Sequence, residues 1–129
     1  MKYLIVLVAC LMVGGCQKTN SVVADPARVK IAITTPADGQ TFTSKDTVYI
    51  SGSVQYDGEM HGYEVTITDT ATGFIVYDEA QHVHTDHFEI NGKWTTTVTK
   101  PVVFRMVVAS SIDHGGDTAS RELYFTIKP

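Results

Sequence analysis

From Val29 onward the chain alternates. Short runs rich in Val, Ile, Thr, Tyr and Phe are separated by Gly, Asp, Asn and Pro, and apolar side chains recur at every second position, the period of a half-buried strand. Val29 to Ile33 predicts a first strand ended by Pro36, with a turn at Asp38-Gly39. Thr47 to Gln55 predicts a second, placing Val48, Ile50, Gly52 and Val54 on one face and Tyr49, Ser51 and Ser53 on the other, with a break at Asp57-Gly58. Tyr63, Val65 and Ile67 form the inward face of a third, and Thr70 to Gly73 turn the chain into a fourth over Phe74 to Tyr77. Trp94, Thr96 and Val98 alternate in a fifth beyond an Asn91-Gly92 turn, with Trp94 and Val98 in phase for the core and Pro101 ending the run. Phe104, Met106, Val108 and Ile112 line a sixth, with Arg105 outward; Leu123, Phe125 and Ile127 line a seventh after a loop at Asp113 to Asp117. No helical period appears. About seven short strands with regular turns predict an all-β fold, an antiparallel immunoglobulin-like β-sandwich over residues 29–129.

The first residues follow another rule. Lys2 precedes an apolar stretch from Leu4 to Met12, too short for a stable transmembrane helix, and Val13-Gly14-Gly15-Cys16 ends it with small residues and a cysteine. This pattern resembles a lipobox. The resemblance implies a signal peptide, residues 1–15, removed before Cys16, with the Cys16 thiol taking a diacylglyceryl group and the new amino terminus a further acyl chain. Several acyl chains anchor durably, since each buried methylene contributes about 0.8 kcal/mol. Residues 16–28 then form the lipidated cysteine and a polar tether. Gln17, where Asp would retain such a protein at the inner membrane, implies the outer membrane of a diderm envelope.

Composition narrows the chemistry. Of two cysteines, Cys10 leaves with the signal peptide and Cys16 is consumed by lipid, so no disulfide and no thiolate metal site is expected in the folded part. Lys+Arg number 10 against 14 Asp+Glu, a net charge of −4, which argues against nucleic acid as a partner.

All five histidines fall between positions 61 and 114. His82 and His84 share one side of an extended segment, His87 follows closely, His61 lies in the loop after the second strand, and His114 in the loop after the sixth. In an immunoglobulin-like topology those loops share one end, and the strand leading to His82 climbs toward it. Four or five imidazoles then converge on a nitrogen-rich site suited to zinc, or to oxidised copper, and unsuited to calcium or magnesium. His61 continues the inward parity of Tyr63. Asp86 and Asp113 are candidates to orient an imidazole, Asp113 also being a good turn former. Met60 is an open candidate for a copper thioether, whereas Met106 is in phase with the core. The bland alternative is five unrelated surface histidines.

The Pro36-Ala37-Asp38-Gly39 opening, the Met60 to Val65 run, the His82-Val83-His84 pair and Asp113-His114-Gly115-Gly116, together with the lipobox, give the chain a resemblance to small lipoproteins of Bacteroidota. That resemblance implies an immunoglobulin-like sandwich on the cell envelope. In similar chains histidine is usual in Leu-His-Gly-Tyr, His-x-His and Asp-His-x-Gly runs, matched here at His61, His82, His84 and His114, with Met60 replacing the leucine.

Three functions compete. The first is a non-catalytic, lipid-anchored module holding a transition metal through His61, His82, His84, His114 and His87. The second is an adhesion module contacting envelope proteins or glycans, with incidental histidines. The third is a zinc hydrolase using Glu59 or Glu79 as base, disfavoured because no catalytic helix motif, nucleophile elbow or phosphate loop is present.

Overall fold

The alternation resolves into two facing sheets. A computed structural model describes residues 25–129, so the apolar leader and Cys16 lie outside the described residues. After a short 3-10 turn at Pro26–Arg28 come β1 (Lys30–Thr35), β2 (Thr41–Thr43), β3 (Val48–Met60), β4 (Gly62–Asp69), β5 (Ile75–Gln81), β6 (Thr85–Trp94), β7 (Val102–Ser111) and β8 (Thr118–Lys128). One sheet runs β1-β3-β6, the other β2-β8-β7-β4-β5. All neighbours are antiparallel except β2 and β8, which pair in parallel. The immunoglobulin-like sandwich is therefore the fold, with eight strands where the pattern predicts about seven.

The core forms where the inward positions of the two sheets meet. Val48, Ile50, Val54, Phe88 and Ile90 from the smaller sheet bury against Val65, Ile67, Phe104, Met106, Val108, Leu123, Phe125 and Ile127 from the larger. Burying each such side chain contributes about 1.5–3 kcal/mol, and with no cysteine beyond position 16 this packing holds the sheets together. Trp94 rests edge-on against Phe104, ring centroids 5.1 Å apart, the core role expected of it.

Three local departures from the predicted pattern matter. β2 is an extra strand, three residues long, set beside β8 after the turn at Gly39. Asn91-Gly92 does not turn the chain: both residues lie inside β6, opposite Ser51 and Ile50, and the stretch from Thr95 to Lys100 is irregular. Glycine at 92 makes room for Tyr77, whose hydroxyl would lie 2.4 Å from a Cβ there and would have to shift. Asp57-Gly58 does not end its strand either. β3 continues to Met60, but its pairing with β6 jumps from Gln55↔His87 to Met60↔Thr85, leaving Tyr56 to Glu59 opposite Asp86 alone. This is a wide bulge, and it lifts Asp57 and Glu59 above the sheet end.

Candidate metal site

Three connections meet at the end where this bulge lies. Gly62 pairs with Ser111 and Tyr63 with both Ser110 and Gln81, so the β3–β4, β5–β6 and β7–β8 links are brought side by side. Each carries a histidine. His61 is the one residue between β3 and β4, His84 closes the β5–β6 link, and His114 sits in the β7–β8 loop.

His61 is the best-held of the three. Its N–H donates to the Ser111 carbonyl at 2.8 Å, and on either side of it Met60 and Gly62 are buried. The fully buried Ser110 hydroxyl lies 3.0 Å from the Gly62 carbonyl and 3.2 Å from the Met60 sulfur. Met60 is thus a core side chain. Gly62 takes φ +146°, and a Cβ there would fall 2.2 Å from the Gln81 carbonyl, so only glycine allows β5 to deliver its histidine link this close. The β7–β8 loop is fixed by Asp113, whose carboxylate accepts from Gly115 N–H (2.9 Å) and Asp117 N–H (3.0 Å). Asp113 is the turn former.

The resulting rings are close. His61 lies 4.0 Å from His114 and 4.4 Å from His84 between ring centroids, and one nitrogen from each of the three falls within 4.8 Å of the others. His84 and His114 are exposed and His61 is half-buried. Glu59 accepts from, or pairs with, His84 Nδ1 at 2.9 Å, which leaves Nε2 of His84 as its free coordinating atom. His61 Nδ1 is buried and has no hydrogen-bond partner. Burial first, then the neighbouring His114 and His84, push the His61 pKa below the usual histidine value, so the neutral ring that binds metal is favoured.

The expected site residues separate accordingly. His61, His84 and His114 come together. His82 is exposed with its ring 5.3 Å from His84, at the margin of the trio, and it shares a shallow recess of ≈ 430 Å³ with His61, Gly62, Glu64 and Thr118. His87 stands apart on the outer face of β6, its Nε2 2.5 Å from Glu89. The carboxylate that orients an imidazole is Glu59, while exposed Asp86 makes no such contact among the described residues. Glu79 is held elsewhere, by the Tyr77 hydroxyl (2.5 Å) and the Tyr63 hydroxyl (3.4 Å); burial and this carboxylate push the Tyr77 pKa up to about 12. Ser110, which clamps the residues flanking His61, gave only a weak sequence signal as a polar residue at an inward position.

No protein-family model matches the chain, and no curated protein matches it. Among solved structures it is similar to fibronectin(III)-like modules of Clostridium thermocellum CbhA, with 13% identity over 77% of this chain and 96% of that one, TM-score 0.47. It is also similar to the CARDB domain of a Pyrococcus furiosus protein solved in complex with di-metal ions, with 8% identity over 78% and 94%, TM-score 0.46. A third is the Bacillus subtilis sporulation control protein Spo0M, with 9% identity over 79% of this chain and 49% of that one, TM-score 0.41.

Proposed function

We propose that this chain is a non-catalytic, lipid-anchored module of the cell envelope that holds one transition-metal ion through His61, His84 and His114. The observation that carries the reading is the convergence of three imidazoles from separate loops, one nitrogen of each within 4.8 Å of the others, with the His61 ring half-buried and its Nδ1 unpartnered. An unsatisfied buried polar atom costs about 1–3 kcal/mol, which marks His61 as a ring not yet satisfied within the chain. The donor set is three neutral nitrogens without thiolate. It favours zinc, with copper the alternative, and leaves a fourth position for water or His82. Zinc–nitrogen bonds of about 2.0–2.1 Å require the rings to draw in only slightly from their present spacing. Anchoring through Cys16, with Gln17 directing the protein to the outer membrane, supplies the location.

Titration calorimetry with zinc, followed by elemental analysis after dialysis, tests this on the mature chain. One ion per chain is expected, abolished by His61→Ala or His114→Ala and retained in His87→Ala. Substoichiometric zinc and copper in the parent protein would sink the proposal.

A second reading, an interaction module, draws on the opposite half of the molecule. There Phe74 (72% exposed), Ile75, Val103 and Tyr124 present apolar surface on the larger sheet and its edge. Envelope partners recovered in a pull-down, equally with and without chelator and lost in Phe74→Ser, would support it.

A further inference from the structure

The direction of the strands places the histidine rim relative to the anchor. β3 runs toward the rim and ends there at Met60, and β1 is antiparallel to it with Lys30 opposite Gln55, so β1 begins at the rim. The segment before β1 is fixed to the same place. Asp25 N–H donates to the Tyr56 hydroxyl at 3.4 Å, and Arg28 forms an ion pair with Asp57. Tyr56 and Asp57 belong to the bulge whose next-but-one residue, Glu59, holds His84. The chain therefore leaves the sandwich beside the histidines, and the loops at Ser44–Thr47, Thr70–Phe74 and Thr95–Pro101 occupy the opposite end.

Length then limits how the domain can stand. From Cys16 to Asp25 the chain spans about nine residues, which reach at most about 30 Å when fully extended. From its first Cα to its last, a ten-residue strand such as β7 already covers about 30 Å. Inverting the domain would therefore require that segment to run fully extended alongside the whole sandwich, a single arrangement whose ordering costs about 1–2 kcal/mol per residue. We infer that the His61–His84–His114 rim faces the lipid surface that holds Cys16, so that metal is exchanged in the narrow space between domain and bilayer. This rests on the lipid-anchored reading above.

Charge indicates how the rim is kept there. At this end Glu59, Asp86, Asp113 and Asp117 stand against Lys30 and Arg121, Asp57 being paired with Arg28. An acidic rim is repelled by anionic headgroups and indifferent to zwitterionic ones, so on a zwitterionic surface the covalent span alone holds it close and its proximity is insensitive to salt. Val83, 49% exposed between His82 and His84, is the apolar side chain projecting at this end.

Energy transfer from tryptophan to a trace of dansyl-headgroup lipid in phosphatidylcholine vesicles tests the orientation. Trp94, the sole native tryptophan, reports the far end; Val83→Trp, added to the intact chain, reports the rim, with Thr118→Trp as a second rim reporter. Transfer from residue 83 or 118 is expected to be several-fold larger than from Trp94, unchanged in high salt, and to fall toward the Trp94 level when a twenty-residue Gly-Ser insertion follows Asn20. Equal transfer from both ends, or an ordering that appears only when native envelope proteins are included, would overturn the inference. Lipidation is scored separately, by the intact mass of the mature chain. Should Cys16 prove unmodified, the anchored reading falls by itself, and coupling the Cys16 thiol to a maleimide lipid still reads the orientation.

Discussion

The two ends of the sandwich are closed by different chemistry. At the far end Trp94 packs on Phe104 and Phe125, Phe42 meets Phe125 edge-on at 5.8 Å, and the irregular stretch before Pro101 is tied down by Lys45 N–H to the Thr96 carbonyl and Val98 N–H to the Ser44 hydroxyl. Among the described residues no buried side-chain polar atom there lacks a partner. At the histidine end three loops converge on imidazoles, and one buried nitrogen remains without a partner. The contrast separates groups that stabilise the fold from those that the proposed ion would partner.

Substitutions should divide along the same line. The largest effect on folding is expected from Phe125→Ala, which empties the far-end cluster and should cost about 3–5 kcal/mol in urea denaturation, with zinc stoichiometry retained in the fraction that folds. Next, zinc at about one hundred times its dissociation constant should stabilise the protein by about 2.7 kcal/mol, read as a shift in the denaturation midpoint. His61→Ala should eliminate that shift, and a metal-induced shift surviving in this variant would erase the distinction between the ends. Glu59→Gln, which weakens the orienting bond to His84 Nδ1, should lower zinc affinity about 10–100-fold in calorimetry while leaving the far-UV spectrum unaltered.

The smallest effect is the pH dependence of the metal-free protein. The pKa of His61 is lower in the folded chain than the usual value of about 6.5, so above that pH neither state is protonated and the full stability is present. As pH falls below about 6.5 the unfolded chain takes up the proton first, and stability declines until the folded-state pKa is reached. The urea midpoint in chelator should therefore be lower at pH 5.5 than at pH 7.5, and His61→Ala should flatten that slope. A midpoint that rises on acidification would contradict the burial argument.

Much of this was legible in the alternation of apolar residues, because one buried face per strand forces a period of two wherever a strand is long enough to show it. β2, with three residues, is too short, and its parallel pairing with β8 depends on contacts far away in the chain. Asn91-Gly92 misleads because the same residue that permits a turn also permits close approach, here by Tyr77. The gathering of His61, His84 and His114 followed from topology, since loops at one end of a sandwich are neighbours whatever their separation in sequence. Glu59 and His87 did not follow. A bulge of four residues facing one brings Glu59 to His84, and nothing in the local sequence specifies its size, whereas His87 stays in regular register opposite Gln55 and points away beside Glu89 because Phe88 and Ile90 point inward.

The Ser110 clamp has a kinetic corollary. Because a hydroxyl inside the core already holds the Gly62 carbonyl on one side of His61 and the Met60 side chain on the other, this candidate ligand is ordered when the protein folds rather than when an ion arrives. Hydrogen exchange should record that history: amides 60–62 should be equally protected with and without zinc, whereas Gly115 and Gly116, in the exposed loop that carries His114, should slow when it binds.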